Sequence, residues 1–451
     1  MTLSLFSLYP LLLQTDVTVT RIDGELFPAD TRALPTSAGL KVTLSASRVS
    51  CSVVLTGASR HVVLQFGSTP SKENSSSFRH AMIIFVGGRD PVVSQAPSST
   101  AVVFKPGVHR IGDDGVFQLP AGVDTIVLQR GAVVQGRINI TRGVGPVSVL
   151  GHGLFDGSVF KYHGSAPADN MRSIEPQFDR PLLWDGVTII NPKGHAAFAP
   201  PGSRFRNFRM LGWLYNEDGI WIGTNCTLSD SFIRTNDDSI RIYGGELDDY
   251  HNTPGPVRGT PSVDAHVENV VVSQLFNGAV VQLGWESAGA INSSVTGLDV
   301  VGAEWYWPEP DTANTSTDRP NNAVVSLRPP VYDLTYPEHH RNITIANVRI
   351  DCGLGRVIGI GLLGTTRPCS SVEGVSMRNI TVRHPLRWLR TNASAPAPKG
   401  GNFVGAAGGD TVSSVHFHGV TVAGQLIERS DDLAWNLETV GSGVSDVTYA
   451  R

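Results

Sequence analysis

The chain has 451 residues, 48 of them glycine and 28 proline, with 17% charged residues and a formal net charge of −4. A balance this close to neutral gives no electrostatic reason to expect a nucleic-acid or anionic-membrane partner, so both are set aside. Short runs of Val, Ile, Thr and Ser separated by Gly, Asn, Asp and Pro read as an all-β chain.

The amino terminus, MTLSLFSLYPLLLQ, is apolar over the length of a secretory signal but has no basic start and a proline in its middle. Residues 1–15 are taken as a signal segment, with a buried first strand as the alternative. Nothing later is long and apolar enough for a membrane span, and a soluble protein is expected.

From about residue 16, LKVTLSAS, SVVLTG, HVVLQF and AMIIFVGG alternate with turn residues every eight to twelve positions. That spacing predicts a β-sandwich domain over residues 16–100, closing with the Pro- and Ser-rich stretch DPVVSQAPSSTA. Beyond it, over 101–451, short β runs and Gly/Asn/Asp turns recur about every twenty residues, as in VSVLGHGLFDG, CTLSDSFIRTNDDSIRIYGG and VENVVVSQLFNGAVVQLG. A fixed period without helices means stacked coils, a parallel β-helix.

Within this repeat NEDGIWIG, residues 216–223, is followed twenty residues later by NDDSIRIY. Register then superposes Ile220 on Ile240, Trp221 on Arg241 and Ile222 on Ile242, with Val281, Gln282 and Leu283 in the next coil. Alternate residues of a strand face opposite sides, so the aliphatic columns fill the coil and Trp221, Arg241 and Gln282 form an outward column. Coils stack about 4.8 Å apart, which brings Asp218 beside Asp238 and Glu217 beside Asp237.

Turn residues alone account for a single Asp, since Asp and Asn dominate turns for backbone reasons. A doublet stacked on a further Asp-Gly suggests chemistry instead. One carboxyl, its pKa raised by acidic neighbours, can protonate a leaving oxygen while another accepts a proton from water. Carboxylates roughly 6.5–9.5 Å apart leave room for that water and give inversion at a glycosidic carbon.

Asn-x-Asp-Gly followed by Asp-Asp resembles the pectinase-like β-helix hydrolases, which include the polygalacturonases of glycoside hydrolase family 28 and the dextranases and isopullulanases of family 49. The nineteen-residue interval from Asp218 to Asp237, the sandwich ahead of the β-helix and the later VVQLGW are more similar to family 49. The resemblance implies a right-handed β-helix, Asp237 as general acid, and Asp218 and Asp238 as the pair holding the nucleophilic water. It also implies a polysaccharide substrate without metal or cofactor. Polygalacturonases carry Gly-His-Gly after the doublet and an Arg-Ile-Lys beyond; here GHG, residues 151–153, lies upstream and no Arg-Ile-Lys follows. A neutral α-glucan, dextran or a pullulan-like polymer, is therefore expected, with a pectin hydrolase as the alternative.

Asn216, Trp221, Arg241, Tyr243, Gln282, Trp285 and Glu286 are the candidate substrate contacts, the aromatic faces stacking on sugar rings. For Arg241 a salt bridge that neutralises the acids is the competing role. A Ca²⁺-dependent lyase and a non-catalytic glycan-binding β-helix are the rival readings. Eight Asn-x-Ser/Thr triplets, at Asn74, Asn139, Asn225, Asn292, Asn314, Asn342, Asn379 and Asn392, together with the amino terminus, point to a secreted glycoprotein; turn asparagines ahead of Thr-rich strands would give the same triplets. A monomer is expected. Cys352 and Cys369 are near enough in sequence to close a disulfide, with free thiols as the alternative.

Overall fold

The structure, a computed structural model, describes residues 6–8, 14–22, 25–56, 61–66, 81–86, 100–112, 114–140, 143, 145–160, 174–175, 180–214, 217–244, 259–274, 278–284, 287–302, 323–327, 337–354, 356–363, 369–386, 402–435 and 437–451. Strands dominate, and none of the described helices is long and apolar enough to cross a membrane.

The first unit is two sheets facing each other. Phe6–Leu8, Ala81–Val86, His61–Gln65 and Arg32–Leu34 form one, and Gln14–Thr20, Ser50–Thr56 and Val42–Leu44 the other. One apolar cluster, Ala33, Val53, Leu55, Val62, Leu64 and Ile84, draws side chains from both sheets, the arrangement of a β-sandwich. Phe6–Leu8, within the apolar N-terminal segment, runs parallel to Ile84–Val86.

From Ala101 onward strands pair in parallel with their counterparts one coil away, apart from the short antiparallel hairpin of Thr421–Val422 with Gln425–Leu426. Ile220, Ile222, Ile240, Ile242, Val281 and Leu283 belong to a single long core cluster running through the coils. The register read from the sequence holds: Ile220 pairs with Ile240, Trp221 with Arg241, Ile222 with Ile242, Ile240 with Val281 and Arg241 with Gln282. The outward column is longer than expected, running Phe198, Trp221, Arg241, Gln282, Ser326, Gly359, Phe403 and Glu438 along one parallel sheet.

The sandwich docks on the outside of the coils. Leu34, Val63, Ile83 and Phe85 share a cluster with Leu211, Phe232, Val271 and Val301. Polar ties flank it: Thr36 N–H donates to Asp351 at 2.7 Å, and His61 Nε2 lies 2.7 Å from the Asp230 carbonyl. Leu211 and Phe232 sit on Arg209–Leu211 and Thr227–Thr235, the strands leading into the two acidic turns. The sandwich thus buttresses the strands that carry the site.

Several sequence motifs resolve into backbone roles. A Cβ at Gly151 would lie 2.0 Å from the Leu128 carbonyl oxygen, so the GHG glycines permit close coil stacking. Asn225, Asn292, Asn342 and Asn379 adopt left-handed φ of +52° to +56°, the turn role weighed for those triplets. Asn342 Nδ2 donates to Asn292 and Asn379 Nδ2 to Asn347, which builds asparagine ladders between coils. All four cysteines are free thiols; Cys51, Cys226 and Cys352 are buried and Cys369 is exposed.

Candidate active site

Both acidic turns lie between the end of one strand and the start of another on the outward-column sheet. Asp218 and Gly219 lead into Ile220–Ile222, and Asp237 to Ser239 lead into Ile240–Ile242. Gly219 N–H donates to the Asp238 carbonyl at 2.8 Å, so the two turns are stitched one above the other. A Cβ on Gly219 would stand 2.1 Å from the Ser239 carbonyl oxygen; only glycine allows this approach. The next coil requires the same: at Gly278, with φ +73°, a Cβ would fall 2.4 Å from Asp238 N and 2.6 Å from Asp237 Oδ1.

The doublet turn is held from inside. Thr235 Oγ1 donates to the Asp237 carbonyl at 2.8 Å, and Asp238 N–H donates to Asp237 Oδ1 at 2.9 Å. Asn236 Nδ2 reaches the Trp213 carbonyl at 3.5 Å. Asp237 is the least buried of the three aspartates, while Asp218 is 5% exposed and Asp238 4%.

Asp238 Oδ1 accepts the Ala279 N–H at 2.6 Å, and its Oδ2 faces Arg241 Nε at 3.7 Å. Asp218 Oδ2 accepts the Trp221 indole N–H at 3.2 Å and lies 3.5 Å from His195 Nε2. Among the described residues no donor reaches Asp218 Oδ1. Burial, then the charges of Asp237 and Asp238, push Asp218 well above the ordinary carboxylate range; Arg241 and the Trp221 hydrogen bond pull the other way. Asp218 therefore keeps its proton to higher pH than an ordinary aspartate.

Glu217 departs from expectation. Its backbone precedes Asp218 as foreseen, but its carboxylate turns inward, is 1% exposed, and accepts the backbone N–H groups of Trp213 and Leu214. Buried Arg234 is electrostatically linked to it, donates to the Gly212 carbonyl and lies 4.9 Å from the Trp213 ring centroid. Burial raises Glu217 and lowers Arg234 to about 10. Glu217 braces the turn, and the acidic patch has three carboxylates.

Trp221 is covered by its neighbours where an open sugar platform was expected. It is 3% exposed, with ring centroids of Phe198, His195 and Tyr243 at 4.3, 4.5 and 4.8 Å and the Arg241 guanidinium 3.9 Å from its own centroid. Its contribution is the indole N–H on Asp218 and a surface that fixes Arg241. Arg241 faces Asp238 Oδ2 at 3.7 Å and its charge lowers the pKa of Asp218, the geometry of the competing salt-bridge role. Gln282 is 0% exposed, and neither amide atom has a hydrogen-bond partner among the described residues; its in-register neighbour Ser326 has an equally unpartnered hydroxyl. Asn216, Trp285 and Glu286 lie outside the described residues.

Two residues absent from the sequence reading join the site, His195 and Phe198. The signal for them was register. Phe198 pairs with Trp221 at an offset of 23 residues, and the same offset sets His195 over Asp218. Among the described residues no group of three or more His, Cys, Asp and Glu side chains is arranged to hold a metal ion.

No family model matches the chain. In sequence it is similar to a dextranase of Arthrobacter globiformis, 25% identical over 269 residues that cover 51% of this chain and 39% of that protein. It is also similar to an isopullulanase of Aspergillus niger, 20% identical over 340 residues, 66% of this chain and 53% of that one. The matches thus span less than two thirds of the length of either relative. In fold it is similar to Dex49A from Penicillium minioluteum, with a TM-score of 0.71 and 17% identity over 97% of this chain and 81% of that one. The resemblance read in the sequence, to family 49 among the pectinase-like parallel β-helix hydrolases, is borne out.

Proposed function

We propose that the protein is a glycoside hydrolase of neutral α-glucans, dextran or a pullulan-like polymer, acting with inversion from Asp218, Asp237 and Asp238. The observation that carries this reading is the convergence of three carboxyls across one coil step, one of them driven far up in pKa by burial and by its two neighbours. The names of the relatives supply the substrate class.

In this reading Asp237, the most accessible of the three, donates its proton to the glycosidic oxygen as the bond to the anomeric carbon breaks. Asp218 and Asp238 hold a water on the opposite sugar face, and its proton passes to one of them as the oxygen attacks. The roles reinforce each other. With the proton on Asp237, one of the charges that raise Asp218 is gone, so the acid's protonation favours an ionised base. Arg241 favours the same outcome through its charge. Polymers of this kind do not cross membranes, which favours work outside the cell by a secreted protein. The proposal takes it as a monomer whose sandwich and β-helix divide near residue 100.

Inversion is tested by NMR of the first product. An α-glucan should release the β-anomer before mutarotation, and an initial α-anomer would refute the two-carboxylate water mechanism. Gly278 offers a structural check. Gly278→Ala forces a Cβ against Asp238 N and Asp237 Oδ1. It should lower kcat by about 10²-fold through misplacement of the doublet and cost at least ~1 kcal/mol at a left-handed φ. Steady-state rates beside a thermal melt would check both, and unchanged kcat would contradict the placement of the doublet at the reacting centre.

A further inference from the structure

We propose that His195 is a positioning residue for Asp218, holding Oδ2 together with the Trp221 indole so that Oδ1 is the oxygen that meets the water. This rests on the hydrolase reading above and deepens it by choosing, between Asp218 and Asp238, the carboxylate that accepts the proton.

An aspartate carboxyl turns about its last torsion in a broad, roughly two-fold well, so its two oxygens are interchangeable unless something holds one of them. Here two ring nitrogens converge on one oxygen, Trp221 Nε1 at 3.2 Å and His195 Nε2 at 3.5 Å. Oδ1 is left without a described donor and is not among the enclosed, unpartnered polar atoms, so it keeps solvent contact. Asp238 is placed differently. Its Oδ1 is occupied by the Ala279 N–H, and its Oδ2 faces Arg241. Of the buried pair, Asp218 is the one with an oxygen to offer.

The imidazole is itself held. Its centroid lies 4.5 Å from that of Trp221 and 5.5 Å from that of Phe198, with interplanar angles of 30° and 35°. The preceding turn passes through left-handed Lys193 at φ +58° and Gly194 at +146°, which brings the ring over Asp218 from the coil before. The charged groups around it are Asp218 directly, Arg241 across the Trp221 ring, Asp237 and Asp238 beyond Asp218, and Lys193, whose charge bears on Glu217. Packing alone would be met by phenylalanine; a nitrogen facing a carboxylate is the extra feature.

The test compares wild type with His195→Phe and His195→Gln, since glutamine carries an N–H donor at about the reach of Nε2. His195→Phe should lower kcat by up to about 10²-fold, as expected for a misplaced base, with KM little changed. Without the nitrogen, Asp218 is harder to ionise, so the acid limb of the pH–rate profile should move to higher pH. His195→Gln should recover most of the rate and return the limb. Equal losses in the two variants with an unmoved limb would assign His195 to packing and overturn the proposal.

A second arm needs no activity. In thermal unfolding of His195→Phe, Asp218→Asn and the double variant, the single effects should be non-additive, because the residues touch. Additivity in an active enzyme overturns this proposal alone. Absence of glucan cleavage by wild type takes down the hydrolase reading and the catalytic part of this one, whatever the thermal cycle gives.

Discussion

Asp237→Asn is expected to lower kcat on the preferred glucan by about 10²–10⁴-fold, the usual contribution of a positioned general acid, while KM stays within a few-fold. The substitution is nearly isosteric. Its amide oxygen still accepts the Asp238 N–H that Asp237 Oδ1 accepts at 2.9 Å, so the doublet turn survives. What it lacks is a transferable proton. The loss should shrink on an aryl glycoside whose leaving group departs without protonation, and initial rates on the two substrates make the comparison. A uniform loss on both would point to a disturbed turn, and no loss would remove Asp237 from the acid role.

Asp218→Asn should separate activity from stability. Burial and the neighbouring aspartates hold its folded pKa above the unfolded value of about 3.9. The folded protein therefore binds a proton in the interval where the unfolded chain has lost it. The carboxyl's contribution is full below the unfolded pKa and is lost as pH rises through the folded one. A neutral amide escapes that loss while its oxygen still accepts the Trp221 N–H. Asp218→Asn should melt at a temperature close to wild type at pH 3.5 and at a higher one at pH 7, yet lose about 10²–10⁴-fold in kcat as the base disappears. Melting curves at the two pH values test the first half; a variant destabilised at pH 7 would contradict the strained, buried carboxyl.

The parts legible in the sequence are those the coil repeat dictates. Ile220, Ile240 and Val281 recur with the strand period, and pairing them fixes where Trp221, Arg241 and Gln282 lie and where the acids converge. Side-chain direction at the turns was another matter. Glu217 turns inward because Trp213 N–H, Leu214 N–H and Arg234 wait there, and Gly212 leaves the space, a Cβ at that position falling 2.9 Å from Glu217 Oε2. Trp221 is covered because Phe198 and Tyr243 stand beside it. Those contacts arise between coils separated by offsets of 23, 20 and 41 residues, as read from Phe198, Trp221, Arg241 and Gln282. A search at one period near twenty finds the middle offset and misses His195. The seat of the sandwich on Leu211 and Phe232 was illegible for a different reason, since apolar outward residues do not name their partner.

Reducing-end release from a panel of dextran, pullulan, nigeran and polygalacturonate, with wild type and Asp237→Asn side by side, tests the central claim most directly. Release from one of the neutral glucans by wild type, abolished or nearly so in the variant, is the predicted result and names the linkage. Release from polygalacturonate alone, or release that the variant leaves untouched, would contradict it.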